Sequence, residues 1–253
     1  MPALDGKVAL VTGAGRGVGR ATALELARAG TRVALLARSR DELQESAERL
    51  REFGGTAFVV QADLGDLNNL TEIARQVNSA LGSVDILINN AATTEAVGAS
   101  VSLGPAAWAT ALSVNVVAAA TLTFSLLPAM LERQWGRVVN VSSGIVEEPG
   151  MMIRANAYVT SKAALEAHTL NLAAELADSG VTVNVFRPGS VDTAMFDYMC
   201  DSPAMVGSPE LREWALRARA EGELTTPDES ARSLVAHLHT AANGQIWDVS
   251  DVL

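Results

Sequence analysis

Two side chains near the middle of the sequence are spaced to move a proton. Tyr158 and Lys162 lie four residues apart at the start of a segment, 156–178, whose pattern predicts a helix. At that spacing they share a face and can converge on one atom. An ammonium beside a phenol favours the phenolate, so the Tyr158 pKa is expected to be drawn down toward the working pH. Lysine is scarce: Lys7 and Lys162 are the only two among 19 basic residues. A Tyr–Lys pair at this spacing arises by chance in many helices, and it gains meaning only from what surrounds it.

A second constellation is suited to phosphate. A strand-like run, Lys7–Thr12, empties into Thr12-Gly13-Ala14-Gly15-Arg16-Gly17-Val18-Gly19, and a helical pattern follows at once. Glycines let the backbone turn sharply and approach a pyrophosphate, while the helix N-terminus offers free N–H groups. Between the first strand and first helix of an alternating chain, this pattern predicts a dinucleotide cradle, with Gly13, Gly15, Arg16, Gly17, Val18 and Gly19 as cofactor contacts. The end of the second strand selects the dinucleotide. An NAD site carries a carboxylate there for the ribose 2′-OH, whereas this chain has Ala37 followed by Arg38. A guanidinium binds a 2′-phosphate, and Arg16 supplies a second cation. NADP(H) is the expected cofactor, and NAD(H) the alternative.

The elements that must hold these groups alternate from end to end. Lys7–Thr12, Arg32–Ala37, Ala57–Gln61, Val84–Asn89, Arg137–Ser142, Val181–Arg187 and Gln245–Val249 read as strands, several of them continuous in Val, Ile and Leu. Helical patterns run near 17–29, 40–53, 66–81, 105–133, 156–178 and 227–241. Gly30, Gly54, Gly82, Gly136 and Gly180 each stand between a helix and a strand, where a left-handed C-cap fits, and Asp66 and Pro227-Asp228 look like helix starts. This register predicts an α/β fold: a Rossmann-type doubly wound parallel sheet of about seven strands with helices on both faces. Residues 1–253 read as a single domain. Ser190–Thr226, rich in Met, Pro, Gly and charge, interrupts the rhythm and is expected to be a substrate lid.

Composition excludes several function classes. The net charge of −10 argues against a nucleic-acid partner, which needs clustered Lys and Arg. Cys200 is the only cysteine, so no intrachain disulfide can form, and a reducing compartment is expected. The apolar runs, broken by Asn, Ser, Thr or Pro, read as too short to cross a bilayer, and the N-terminus lacks a signal pattern. These features predict a cytoplasmic protein without a membrane partner. No metal site is expected.

Taken in order, the motifs resemble those of the short-chain dehydrogenase/reductase family, in its compact single-domain branch, from about residue 5 to 250. The matching residues are the glycine turn, Asp63-Leu64 after the third strand, Asn89-Asn90-Ala91, Asn115, Ser143, Tyr158-x-x-Ser161-Lys162, and Pro188-Gly189-Ser190-Val191-Asp192-Thr193. The resemblance implies that Tyr158 is the general acid in reduction and the base in oxidation. It makes Lys162 the partner of the nicotinamide ribose and Ser143 the donor to the substrate oxygen, with Ser142 the lesser candidate. Asn115 would hold a water that links Lys162 to solvent. Asp63 and Leu64 would meet the adenine, Asn90 and Ala91 would line the wall beside the cofactor, and Pro188, Gly189, Val191 and Thr193 would lie along the nicotinamide. Asn89 reads as architecture.

Three departures from the family pattern stand out. Ala92 replaces a glycine in the cofactor wall. The Ser143–Tyr158 gap is about two residues longer than usual, which makes Ile145–Ala157 an atypical lip over the substrate. The C-terminal Trp247-Asp248-Val249-Ser250-Asp251 lacks the usual double glycine. Relatives pair the helices corresponding to 105–133 and 156–178 with a second copy, so a homodimer or homotetramer is expected, with Ala118-Ala119-Ala120 and Ala173-Ala174 as contact patches.

Met151, Met152, Met195, Phe196, Tyr198, Met199 and Met205 suit an apolar, adaptable pocket, while Arg154 reads as facing water. The expected activity is reduction of a carbonyl, or oxidation of the matching secondary alcohol, on an apolar small molecule. An NAD-dependent alcohol dehydrogenase and a non-catalytic NADP(H)-binding redox sensor are the alternatives. An intact Ser143, Tyr158 and Lys162 speak against the sensor.

Overall fold

The structure, a computed structural model, describes residues 4–201 and 209–251. Seven strands form one sheet: β1 (Val8–Thr12), β2 (Arg32–Ala37), β3 (Ala57–Gln61), β4 (Ile86–Asn89), β5 (Gly136–Val141), β6 (Val181–Arg187) and β7 (Ile246–Asp248). Every pairing is parallel, in the order β3-β2-β1-β4-β5-β6-β7. The doubly wound architecture expected from the sequence is therefore present. The strands β1, β4, β5 and β6 are buried along their whole length; β1 and β4 are nearly continuous in apolar residues, whereas β5 and β6 also bury Arg137, Asn140, Thr182, Asn184 and Arg187.

Helices cover both faces. On one lie α1 (Gly17–Arg28), α2 (Arg40–Glu52) and α9 (Pro227–His237); Leu26, Leu43, Leu50 and Leu234 pack there on Val11, Leu35 and Ile88. On the other lie α3 (Leu70–Leu81), α5 (Ala118–Glu132) and α6 (Asn156–Glu175), whose Leu70, Ile73, Leu122 and Leu172 pack on Leu10, Leu36, Leu87 and Val138. The strand order reverses between β1 and β4, which opens a crevice at their C-terminal ends.

Several local expectations are refined. Gly30, Gly54, Gly82 and Gly180 do adopt positive φ, but Gly136 does not. The left-handed residue before β5 is Gln134, and Gly136 instead leaves room for Met130, whose Sδ would lie 2.7 Å from an added Cβ. Asp66 starts a 3₁₀ turn, Leu67–Asn69, before α3 begins. At α9 the cap is Thr226, which closes a capping box with Glu229 ahead of Pro227.

The expected helix over 105–133 is continuous but not uniform. α4 (Pro105–Leu112) passes through a π-helical stretch, Ser113–Val117, into α5. The expectation that its apolar runs are too short for a bilayer is corrected here: Pro105–Glu132 spans 28 residues and contains an 18-residue stretch with a mean hydropathy of 1.8, enough by length and composition to cross one. Its hydroxyls do not interrupt the helix, because Thr110, Thr121, Thr123 and Ser125 each donate to the carbonyl four residues back.

Candidate functional site

Strand ends and loops at the crevice enclose a cavity of about 1360 Å³ that runs from the glycine turn to Tyr158 and on to a largely apolar end. At the turn, the fit to a pyrophosphate can be tested on the backbone itself. Gly13 has φ 65°, and a Cβ at Gly19 would lie 2.2 Å from the Gly13 carbonyl oxygen, so α1 can approach the turn this closely only with glycine there. The N-terminus of α1 has no side-chain cap and no acid in its first turn, which leaves its N–H groups for an anion. Gly13, Gly15, Arg16, Gly17 and Val18 line the cavity, while Gly19 stands behind the turn. The residues present suit a dinucleotide.

Beyond the turn, Asn90 donates from Nδ2 to the Thr12 carbonyl at 3.0 Å, and the Thr12 hydroxyl accepts from the Asn90 and Ala91 amides, which ties the ends of β1 and β4 together. Asp63 accepts from the Gly65 amide and lines the cavity with Leu64, Ala91 and Ala92. Arg38 also lines it, but the mouth is not purely basic. Arg38 pairs with Glu95 at 3.8 Å and Arg16 with Glu42 at 3.3 Å, and both carboxylates line the same cavity. Neither acid was singled out in the sequence, since each comes from a different element.

At the far wall, Tyr158 and Lys162 project from the first turns of α6 and are both buried. The Lys162 ammonium donates to the Val141 carbonyl at 2.7 Å and lies 5.8 Å from the centre of the Tyr158 ring. Burial lowers its pKa to about 8, against a smaller upward push from the Glu166 carboxylate. The expected depression of Tyr158 is not observed: burial raises its pKa, and a hydrogen bond with Ser143 offsets part of the rise. The cause is that Lys162 is turned to a backbone carbonyl rather than to the phenol. Ser143, not Ser142, is the serine that bonds Tyr158, while the buried Ser142 hydroxyl has no protein partner.

Asn115 does not line the cavity. Buried inside the π-helical stretch, it donates to the Thr93 carbonyl and the Ser161 hydroxyl and accepts from the Thr93 amide, so it fixes the turn just before Lys162. Asn89 is structural, as expected; it bonds Asn140, which in turn donates to Thr169 of α6. Asn140 and Thr169 were not legible as a pair, because they lie on separate elements.

After β6, Pro188, Gly189, Val191 and Thr193 continue the wall, and the Thr193 methyl would stand 3.3 Å from a Cβ at Gly17. Within 190–226 the structure adds α7 (Ala194–Asp201) and α8 (Pro209–Glu221); Pro203, Met205 and Gly207 lie outside the described residues. Phe196 meets Trp214 edge-on at 6.2 Å, and Arg219 binds both Asp192 and Asp197, at 2.6 and 2.7 Å. Met151, Met152, Ile153, Met195, Phe196 and Trp214 give the cavity its apolar end, whereas Tyr198 and Arg154 do not line it.

A doubly wound sheet with an uncapped glycine turn and a buried Tyr–Lys pair on one cavity defines a class: nicotinamide-dependent oxidoreductases. The comparisons make this specific. The sequence profile of the short chain dehydrogenase family matches residues 7–202. A short chain dehydrogenase of Pseudocercospora fijiensis is 36% identical over 200 residues, 76% of this chain and 62% of that relative, so this chain spans less than two thirds of its length. A 3-oxoacyl-(acyl-carrier-protein) reductase of Staphylococcus aureus is 35% identical over 198 residues, covering 77% of this chain and 78% of the relative. Among solved structures, a putative NAD(P)-dependent gluconate 5-dehydrogenase from Beutenbergia cavernae with bound NADP superposes with a TM-score of 0.84 at 33% identity, over 98% of this chain and 97% of that one. An NAD⁺-bound xylitol dehydrogenase gives 0.86 at 28% identity, covering 97% and 98%. The chain belongs to the short-chain dehydrogenase/reductase family, whose members act on CH–OH and C=O groups of small molecules with a nicotinamide cofactor.

Proposed function

We propose that the protein is an NADP(H)-dependent reductase of an apolar carbonyl compound, able to oxidise the matching secondary alcohol in reverse. The observation that carries this reading is one cavity that joins the glycine turn, the Ser143–Tyr158–Lys162 group and a wall of Met, Phe and Trp side chains. When bound, the reduced nicotinamide supplies the hydride to the carbonyl carbon. Ser143 donates a hydrogen bond to the carbonyl oxygen and steadies the negative charge that develops there. Tyr158 gives its phenolic proton to that oxygen. Its raised pKa suits this direction, because the acid stays protonated until the oxygen becomes basic. Lys162, whose ammonium lies 5.8 Å from the Tyr158 ring centre, would stabilise the resulting phenolate by its charge and would hold the nicotinamide ribose, and Asn115 braces the turn that carries it.

On the adenosine side, Arg38 and Arg16 would take the 2′-phosphate, Asp63 and Leu64 the adenine, and Asn90 and Ala91 the adjoining wall. Pro188, Gly189, Val191 and Thr193, which line the same cavity, would hold the nicotinamide. An NAD(H)-linked alcohol dehydrogenase is the second reading, favoured by the Glu42 and Glu95 carboxylates at the same mouth. The single cysteine and the net charge of −10 support a cytoplasmic enzyme with no nucleic-acid partner. We read residues 1–253 as one domain, with 190–226 as its substrate flap.

The test is consumption of NADPH and NADH against ketones, quinones and β-ketoacyl thioesters. At least one apolar carbonyl is expected to turn over, with NADPH preferred. Tyr158→Phe should lower turnover by roughly 10²–10⁴-fold with little change in NADPH binding. Near-normal turnover in that variant would overturn the assignment.

A further inference from the structure

Arg187, the last residue of β6, is a buried cation with two acidic partners. Its Nε and Nη2 donate to the two Glu166 carboxylate oxygens at 3.0 and 2.9 Å, a two-pronged pair in which both side chains are less than a tenth exposed. Its Nη1 donates to Glu147, an exposed residue of the atypically long lip. Glu166 stands one helical turn after Lys162 on α6. Charge therefore alternates from Glu147 through Arg187 and Glu166 to Lys162 and sums to zero, which is what buried charges require. The next residues in the chain, Pro188 and Gly189, are cavity wall. One guanidinium, carried on the last residue of β6, thus touches both the lip and the Tyr–Lys helix. An apolar side chain of similar volume would avoid the desolvation cost, so stability alone is a weak reason for this group.

We propose that Arg187 is a positioning residue that latches the substrate lip to the catalytic helix, with Glu147 as the arm that sets the lip and Glu166 as the arm that steadies Lys162. The proposal rests on the reductase reading for its kinetic consequences, though not for the latch itself. Glu166 pushes the Lys162 pKa up against the effect of burial, and Arg187 fixes where that carboxylate sits. The other ionisable groups on the elements around Lys162 are Tyr158, His168 and Glu175 on α6, Glu147, Glu148 and Arg154 in the lip, and Asp192 after β6, which is held by Arg219. The lip has a second anchor in the Arg154 carbonyl, which accepts from the Gly98 amide at 2.8 Å. Loss of Glu147 should therefore loosen the lip without releasing it.

The experiment compares the full-length enzyme with Glu147→Gln, Glu166→Gln and Arg187→Met, using NADPH and a carbonyl compound that the unmodified enzyme reduces. Glu147→Gln should raise KM by roughly 2–5-fold, more than it lowers kcat, and speed amide exchange over 144–155. Glu166→Gln should move the alkaline limb of kcat to lower pH by about one unit while KM changes little, a result that mere loss of packing would not give. Arg187→Met should show both effects. If Arg187→Met does not fold, the exposed Glu147→Gln variant still decides the latch. Unchanged exchange over 144–155 in Glu147→Gln would overturn it, and an unshifted pH profile in Glu166→Gln would overturn the Lys162 arm. If the unmodified enzyme reduces no carbonyl compound with either cofactor, the reductase reading fails, and the exchange measurement still decides the latch.

Discussion

Lys162 is held in a position that costs stability. A fully buried ammonium with its pKa lowered from 10.5 to about 8 is protonated less readily in the folded chain than in the unfolded one. Below pH 8 both states carry the proton and the folded state bears the whole penalty. Between pH 8 and 10.5 the folded state loses its proton first and the penalty fades; above 10.5 it is gone. Lys162→Met should therefore abolish turnover yet stabilise the cofactor-free protein at pH 7, by at most about 3 kcal/mol. Glu166 is not stranded by the change, since Arg187 still pairs with it. Denaturant midpoints of the two proteins at pH 7 and pH 10 check this: the gap should be wide at the first and narrow at the second.

The mouth of the cavity shows the opposite case, charges that are exposed and cheap to rearrange. Arg38 and Glu95 are 67% and 69% exposed and 3.8 Å apart, so their pair is weak and a 2′-phosphate should displace it. Arg38→Ala should narrow the preference for NADPH over NADH by roughly 1.5–3 kcal/mol, as for a hydrogen bond to a charged group. Glu95→Gln should widen it by roughly 2–5-fold, because it removes the competing carboxylate. Dissociation constants for both cofactors in the three proteins are the measurement. Equal affinities for NADPH and NADH in the unmodified protein would favour the NAD(H) reading.

At the scale of elements, the described parts of 190–226, proposed above as a substrate flap, are held by a few buried side chains and by exposed ion pairs. Ala215 and Ala218 of α8 are buried, and Arg219 joins that helix to α7 through Asp197 and to the wall through Asp192. These ion pairs are half exposed, so they bind α7 and α8 to each other only weakly. Amide exchange over 194–201 and 209–222 should slow markedly when NADPH and a carbonyl substrate are bound. Equally slow exchange in both states would mean a preformed wall instead of a closing flap. In α8, Trp214, Ala215 and Ala218 recur at helical spacing, a signal the sequence carries; no such signal marks α7. That helix is short and carries Met, Phe and Tyr on several sides, so no period stands out. The central strands β1 and β4 were legible because burial on both faces leaves nearly continuous Val, Ile and Leu runs, and β3, β5 and β6 because their valine-rich segments alternate regularly with helical patterns. The latch at Arg187 was not, since Glu147, Glu166 and Arg187 are adjacent only after β6 is laid beside α6.

For the molecule as a whole, the open question on its surface is the face made by α5 and α6. The patches expected to meet a second copy, Ala118-Ala119-Ala120 and Ala173-Ala174, are only partly available, because Ala118, Ala119 and Ala173 are buried on the sheet side. The exposed side carries Val117 from the π-helical stretch and Phe124 and Leu131 from α5, with Ala163, Ala167, Leu170 and Ala174 from α6, and Phe124 lies edge-on to His168 at 5.8 Å. Such a face needs a cover. Lipid is a poor one: although Pro105–Glu132 is long and apolar enough to span a bilayer, its inner side is fixed against a parallel sheet whose other helices, such as α2, are strongly charged. A second copy is a better one, since small residues at Ala163, Ala167 and Ala174 let two α6 helices approach closely about a two-fold axis. Light scattering at micromolar concentration should therefore give a dimer or tetramer mass. Ala167→Glu, which would set two carboxylates close together across that axis, should shift the population toward monomer, and Phe124→Asp should do the same from α5. α6 also carries Tyr158 and Lys162, and Asn115, which braces the turn before Lys162, lies in the π-helical stretch that leads into α5, so dissociation should lower turnover along with mass. A monomer mass for the unmodified protein, with full turnover, would refute the assembly and leave the apolar face to some other cover.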